Sequence, residues 1–274
     1  VETWANLSKK FKKTLPKLLK KKEVPVMAER AGVSTDETDP AIQVVHLGAS
    51  APSSVKPGSE FTARFVACLE EAEAQVVKIL HQLSPTATNA LDIKRCQWLP
   101  GSTVTVSLSG RWLEVEKPEQ TFVWQGPHSL VDFDVILGDD APLGNTILKF
   151  NVSIEGIRVA KLRMDLQISA DGKTDQPNAV ATEAARSAFA SYSSSDRQRV
   201  LDRLASVRIS AGLEIFLDCL SLRPGEEWKP RLAKEIRSRD QFLLFWSKAA
   251  ADSQWVTWEW QTALDEKGKA NMQL

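Results

Sequence analysis

The chain has 274 residues, 43% hydrophobic and 26% charged, and its 35 basic and 35 acidic residues balance to a formal net charge of zero. This composition is typical of a folded globular protein rather than a disordered or fibrous one. The balanced charge argues against a protein whose whole surface binds nucleic acid, and we find no specific nucleic-acid signal. No apolar run reaches the length of about 18 residues that a membrane-spanning helix needs.

The cysteines point to a reducing compartment. Cys68, Cys96 and Cys219 are widely spaced, which fits neither a disulfide framework nor a zinc motif. No apolar signal segment is evident at the start of the sequence. We therefore expect reduced thiols, a cytoplasmic location and no metal site.

Residues 1–33 are predicted to be a basic amphipathic helical segment. Residues 1–30 carry nine basic and three acidic side chains, a net charge of +6, and apolar residues recur at helical spacing. Pro16 should interrupt or kink this helix. Such a segment can lie on an anionic membrane or dock on an acidic partner, or it can pack its apolar stripe against an additional domain.

Residues 41–168 follow a strand pattern. Apolar and polar residues alternate over 61–67, 103–108, 131–137, 148–154 and 160–168, so that one face of each strand lies on a core. The Glu155-Gly156 turn makes the last two strands a terminal hairpin, and residues 69–83 follow a helical period. The pattern predicts an antiparallel, immunoglobulin-like β-sandwich with one helix.

Little in this region suggests chemistry. The three histidines, His46, His81 and His128, lack ligand spacing and are interpreted as solvated or capping residues. Asp132 and Asp134 share one strand face, which we assign to solvent. We expect a binding or spacer role for this domain.

The chain then changes its pattern. Residues 169–184 are polar and contain Gly and Pro, which predicts an interdomain linker. In residues 185–274, short apolar strands over 188–192, 213–217 and 242–246 alternate with amphipathic helices. The first helix is expected to open with a capping box at Ser195, the second at residues 224–227 and the third after Asp252 or Ser253. This order predicts a parallel sheet covered on both faces, with ligands at the carboxyl ends of its strands.

Three stretches of this last segment resemble the bacterial TIR (Toll/interleukin-1 receptor) domain. They are Phe189–Asp196 (FASYSSSD), Asp218–Trp228 (DCLSLRPGEEW), and Phe245–Ser247 (FWS) followed by Ser253–Trp260 (SQWVTWEW). The resemblance implies a flavodoxin-like α/β fold. Members of the family usually continue into a further strand and helix, so the domain at 185–274 is expected to be C-terminally incomplete.

The resemblance also implies cleavage of NAD⁺, as substrate rather than cofactor, at the nicotinamide–ribose bond, with Glu259 as the catalytic glutamate. Nicotinamide leaves as a neutral molecule, so no general acid is required, and a carboxylate can stabilise the oxocarbenium-like ribose. Glu259 lies one helical turn after Trp255, and burial among indoles would require the site to be partly wet or hydrogen-bonded. The predicted substrate-binding residues are Tyr192, Ser193, Asp218, Trp228, Ser247 and Trp255.

Several alternatives stay open. Core packing explains Trp228 and Trp246 more readily than stacking on a nucleotide, and Glu259 could be an exposed helix residue. A TIR module can also be a non-catalytic signalling scaffold that self-associates through residues 219–227. If it is an enzyme, the resemblance implies a bacterial antiviral effector activated by self-assembly. Neither G-x-G-x-x-G after a strand nor G-x-x-x-x-G-K-[ST] occurs, which argues against a dehydrogenase or a P-loop NTPase.

Overall fold

The computed structural model describes residues 42–84, 87–173, 179–217 and 228–273. The predicted basic helix at 1–33 lies outside these residues. The strands are β1 (Gln43–Pro52), β2 (Ser54–Val55), β3 (Glu60–Leu69), β4 (Ala87–Trp98), β5 (Thr103–Ser109), β6 (Leu113–Val115), β7 (Glu119–Val123), β8 (His128–Leu137), β9 (Gly144–Ile154), β10 (Ile157–Ile168), β11 (Val180–Ala184), β12 (Ser187–Ser191), β13 (Glu214–Leu217), β14 (Gln241–Leu244) and β15 (Met272–Gln273). The helices are α1 (Glu73–Leu83), α2 (Arg197–Ala211), α3 (Trp228–Ser238), α4 (Lys248–Ala251) and α5 (Gln254–Lys267).

The N-terminal part consists of two sheets around one core. The first sheet has the strand order β4-β1-β3-β8-β6, and the second has the order β11-β10-β9-β5-β7, with β2 added in parallel at the end of β10. Their apolar faces meet: the ring of Phe150 in the second sheet lies 6.4 Å from that of Phe65 and 5.9 Å from that of Phe133 in the first. Period-two alternation brings these side chains to one layer. The sheet-rich region is as predicted, while its immunoglobulin-like character stays a prediction.

The helix within this region also follows its predicted pattern. A 3₁₀ turn at Glu70–Ala72 leads into α1, and Val76 and Leu80 are buried on the outer face of the first sheet with Val66 and Cys68. The helix therefore covers a second apolar patch, opposite to the shared core.

Part of the predicted linker at 169–184 is a strand in the structure. Its last residues, Val180–Ala184, form β11, which pairs antiparallel with Ala160–Met164 of β10. The β9–β10 hairpin turns at Glu155 and Gly156, both with positive φ, but it is not terminal because β11 extends the sheet beyond it. A single Thr182 buried among exposed or half-buried neighbours gave too weak an alternation to reveal this strand.

The C-terminal part is a parallel sheet with the strand order β13-β12-β14-β15. One face is covered by α2 through Val200, Leu204 and Val207. The other face is covered by α3 and α5, which contribute the buried residues Leu232, Ile236, Val256 and Ala263. The predicted parallel sheet with helices on both faces is confirmed.

Of the three predicted helix starts, one is confirmed, one is wrong and one is not described. Ser253 caps α5, its Oγ accepting from the N–H of Val256 at 3.3 Å. The predicted capping by Ser195 is wrong, because α2 begins at Arg197 and no side chain caps it. The predicted start at 224–227 lies outside the described residues. At the other end, β15 provides a further parallel strand that the sequence pattern missed, since it spans only Met272 and Gln273.

The two parts are in direct contact. Ile157, at the start of β10, is 4% exposed and belongs to the apolar cluster of the parallel sheet and α2. Beside it, the guanidinium of Arg203 donates to the carbonyl of Glu155 at 2.9 Å. The β9–β10 hairpin is therefore packed into the C-terminal part rather than separated from it.

Candidate active site

The carboxyl end of β12 is where the parallel sheet can hold a ligand. In the sheet, β12 lies between β13 and β14, the two strands that follow it in the chain. The chain therefore continues on one side of β12 and then crosses to the other. In open parallel sheets, ligands bind outside the carboxyl ends of the strands where the order reverses in this way. Ser191 is the last residue of β12, so it marks this position.

Three stacked phenylalanine rings lie across the sheet near this end, on the side of α3 and α5. The ring of Phe189 stacks on that of Phe216 at 5.4 Å and on that of Phe242 at 5.5 Å. These rings pair in register across β13, β12 and β14. Because side chains alternate along a strand, Ser191 lies on the same face two residues further along β12.

Glu259 reaches Ser191 from α5. The Ser191 hydroxyl donates a hydrogen bond to Oε2 of Glu259 at 2.5 Å, and both residues are 0% exposed. Val256, Glu259 and Ala263 are the buried residues of α5, so the carboxylate lies within the stripe that packs on the sheet. A carboxylate in such a position is expensive to bury without hydrogen bonds or charge partners, so its presence calls for a specific reason.

The surroundings of Glu259 are aromatic. Trp255 lies one turn earlier on α5, and its ring is 6.2 Å from that of Trp258. Both indoles are partly buried against the cluster that contains Phe189 and Phe242. The carboxylate is therefore buried and hydrogen-bonded. A hydrogen bond is one of the two conditions that the sequence analysis set for a buried Glu259.

The other predicted substrate-binding residues lie elsewhere around the sheet. Tyr192 is buried in the cluster on the α2 side. Ser193 is half-buried, and its hydroxyl lies 3.0 Å from that of Ser195. Ser247 caps α4 and donates to Oδ2 of Asp196 at 2.5 Å. The structure thus brings Trp255 to the side of Glu259, and puts Tyr192 on the opposite face.

For two of the predicted site residues, the side chain is not among those that the structure describes. Asp218 lies outside the described residues, and Trp228 is described only as the first residue of α3. Their roles stay predictions.

A cleft of about 420 Å³ opens on the α2 side of the same strand ends. Asp196, Arg199, Trp246 and Ser247 line it, together with Gly156 from the β9–β10 turn. The indole of Trp246 is 56% exposed, so its interpretation as a core residue is wrong. The sequence analysis includes Trp246 in an apolar strand over 242–246, which makes burial the natural expectation, whereas β14 ends at Leu244. Glu259 does not line this cleft.

Sequence reasoning missed two residues here, Ser191 and Asp196. Ser191 is the single polar residue that ends the apolar run from Ala188 to Ala190, and a polar residue at the buried end of a strand is a usable signal. Asp196 was read only as part of a helix cap, whereas its carboxylate joins the segment after β12 to the segment after β14 through Ser247.

Other kinds of site find little support in the part of the chain that the structure describes. There, three or more His, Cys, Asp or Glu side chains nowhere come together in a way that could hold a metal ion. The predicted solvated or capping role of His46 is wrong: the residue is 2% exposed, and its Nδ1 contacts the carboxylate of Glu73. Among the described helices, none has the length and apolar character needed to cross a membrane.

Comparison with known proteins identifies the C-terminal third. A search of curated proteins finds no match to the chain. A scan against protein-family models matches residues 189–273 to the TIR domain family. These residues begin within β12 and end within β15, so they span the parallel sheet, Ser191 and Glu259. The C-terminal third of the chain is therefore a TIR domain.

Proposed function

We propose that this protein is a TIR-domain NAD⁺ glycohydrolase that cleaves the nicotinamide–ribose bond. The observation that carries the proposal is the placement of Glu259, a carboxylate buried at the carboxyl end of the first parallel strand and hydrogen-bonded to Ser191. A helix glutamate with no chemical role is normally solvated, because burial of a charge destabilises the fold.

The chemistry requires little besides that carboxylate. As the bond to nicotinamide breaks, the ribose gains positive charge and nicotinamide leaves as a neutral molecule. A negative side chain beside the ribose stabilises this developing charge, and its effect is large where water is excluded. The indoles of Trp255 and Trp258 provide a water-poor surrounding for Glu259. A water molecule then forms a bond to the same ribose carbon and releases a proton to solvent, so the products are ADP-ribose, nicotinamide and a proton.

The burial of Glu259 also bears on regulation. With 0% of the residue exposed, the carboxylate has no open path to a ribose in the single chain. Substrate can reach it only after the surrounding elements rearrange. Contacts between TIR domains of neighbouring copies are a source of free energy for such a change, so we propose that self-association activates the enzyme. The protein would then be a cytoplasmic effector of bacterial antiviral defence, a role supported by the family resemblance alone.

The second candidate is a non-catalytic scaffold that assembles through its TIR domain. The same burial favours it, because a carboxylate with no exposed surface cannot act on a substrate in this arrangement. In that case Glu259 would serve only to join α5 to β12. The N-terminal sheets, for which we keep the immunoglobulin-like prediction, would bind the signal in either case.

One experiment separates the two functions. Nicotinamide release from NAD⁺ is measured with the dilute protein and with the same protein concentrated on vesicles through an added tag. A glycohydrolase activated by assembly releases nicotinamide on the vesicles and at most slowly in dilute solution. Assembly on the vesicles without any release of nicotinamide would establish the scaffold and refute the enzyme.

A further inference from the structure

From the contact between the last residue of β12 and α5, we infer that Ser191 is the positioning residue of Glu259, holding its carboxylate in one orientation and in its ionised form. This inference rests on the proposed function, because it assigns a role within the same site. Ser191 itself is not assigned a contact with substrate.

The backbone of Ser191 is held rigidly. It pairs with Leu244 of β14, and its carbonyl accepts a hydrogen bond from the N–H of Phe245 at 2.9 Å. The residue is 0% exposed. The hydroxyl therefore starts from a fixed point on the central strand, and only its own rotation is left to adjust.

The helix that carries Glu259 is held as firmly. Its first turn is capped by Ser253, and Val256 and Ala263 are fully buried on the sheet to either side of Glu259. The 2.5 Å bond from Ser191 then joins two rigid elements through one pair of side chains. A glutamate has three rotatable side-chain bonds, and fixing Oε2 restricts them to few combinations. Accurate placement of a reacting group is a large part of catalysis, and small misplacements are costly.

The hydroxyl also favours charge on the carboxylate. A donor hydrogen bond to an ionised carboxylate stabilises the charged form, whereas burial without donors favours the neutral acid. Only the charged form stabilises a ribose that becomes positive. Loss of the hydroxyl should therefore reduce the charged fraction of Glu259 most at low pH.

The test compares Ser191→Ala and Ser191→Thr, with Ser210→Ala as a control for truncation of a buried serine. Ser210 lies on α2 at 8% exposure, on the opposite face of the sheet. In the assembled protein on vesicles, we expect Ser191→Ala to lower kcat by about 10- to 100-fold with KM changed less than about twofold, in the range known for partners that orient a functional group. The acidic limb of its rate–pH profile should move to higher pH, because the carboxylate loses a hydrogen bond that favours its charged form. Ser191→Thr, which keeps the hydroxyl, should restore both values, and Ser210→Ala should match the parent protein.

The readouts distinguish the failure of this inference from that of the proposed function. If the parent protein cleaves NAD⁺ and Glu259→Ala does not, while Ser191→Ala keeps the parent kcat and pH profile, positioning by Ser191 is refuted and the proposed function stands. If the parent never releases nicotinamide, the proposed function fails and the inference with it.

A carbon-detected NMR titration of the Glu259 carboxyl adds a readout independent of turnover. The pH at the midpoint of this titration should be higher in Ser191→Ala than in the parent protein, and in Ser191→Thr it should match the parent. An unchanged midpoint in Ser191→Ala contradicts the role of Ser191 in ionisation. If Ser191→Ala fails to fold, Ser191→Cys, a weaker donor of similar size, takes its place with an intermediate loss expected.

Discussion

The side chain of Gln273 in β15 holds both backbone groups of Arg158 in β10. The N–H of Arg158 donates to Oε1 of Gln273 at 2.8 Å, and Nε2 of Gln273 donates to the carbonyl of Arg158 at 3.2 Å. The guanidinium of Arg158 and the amine of Lys161 both donate to the carbonyl of Ala270. Strand β15 of the TIR domain is thus fixed to β10 of the N-terminal sheets.

This junction depends on apolar burial by Ile157. We expect Ile157→Ala to lower the free energy of unfolding by about 2–4 kcal/mol, because it removes a buried side chain from the cluster beneath α2. Ile147→Ala on the neighbouring strand β9 is the matched control, since Ile147 is 37% exposed and should lose at most about 1 kcal/mol. Urea unfolding followed by tryptophan fluorescence gives both values. Equal losses would show that Ile157 does not anchor the two parts.

The outer face of the first sheet contains a paired arginine. Arg64 is 6% exposed, and its guanidinium donates to both carboxylate oxygens of Asp132 at 2.5 and 2.7 Å. Asp132→Asn leaves a buried cation without its counterion and should destabilise the protein by about 2 kcal/mol, between the values typical of exposed and buried pairs.

Asp134 supplies the control for this prediction. It points to the same side of β8 as Asp132 and has no ion-pair partner within the described ranges of the chain. Asp134→Asn should therefore change the midpoint of thermal unfolding by no more than about 1–2 °C. A fall in this midpoint for Asp134→Asn as large as the fall for Asp132→Asn would contradict the assigned pairing of Arg64 with Asp132.

The thiol of Cys68 makes stability depend on alkaline pH. Burial beneath α1, with a smaller contribution from the carboxylate of Glu73, raises the pKa of Cys68 to about 11 from an ordinary value near 9.0. The folded state thus holds the thiol proton more tightly than the unfolded state. Its stabilising contribution is complete below about pH 9 and is lost as the pH rises through 11.

Urea unfolding at pH 8 and pH 10.5 measures this dependence. The parent protein should lose more stability between these pH values than Cys68→Ala, which lacks the titrating group. Val66→Ala is the control, since Val66 belongs to the same buried cluster and carries no proton to lose. A parent protein and a Cys68→Ala variant with the same pH dependence would overturn the prediction.

The sequence revealed those parts of the fold that bury one clear face. Residues 131–137 of β8, 148–154 of β9 and 160–168 of β10 alternate strictly, so the sequence predicts which of their sides faces the core. β11 was missed because it adds to a sheet edge through its backbone with a single buried side chain, Thr182. The identity of Glu259 came from the motif around it, but its burial could not, because helix periodicity does not say that a charged residue faces the sheet. For Ser191 the sequence offers its polar character at the end of an apolar strand, but its partner became known only from the hydrogen bond to Glu259 of α5.

The measurement that tests the account most directly is nicotinamide release by Glu259→Gln on vesicles, beside Glu266→Gln. Both substitutions replace a carboxylate of α5 with an amide of the same size, but Glu266 is exposed and pairs with Arg237 at 2.6 Å. If the buried carboxylate stabilises the ribose in the transition state, Glu259→Gln should slow release by at least about 100-fold while Glu266→Gln stays within about twofold of the parent. Undiminished release by a correctly folded Glu259→Gln protein would contradict the account.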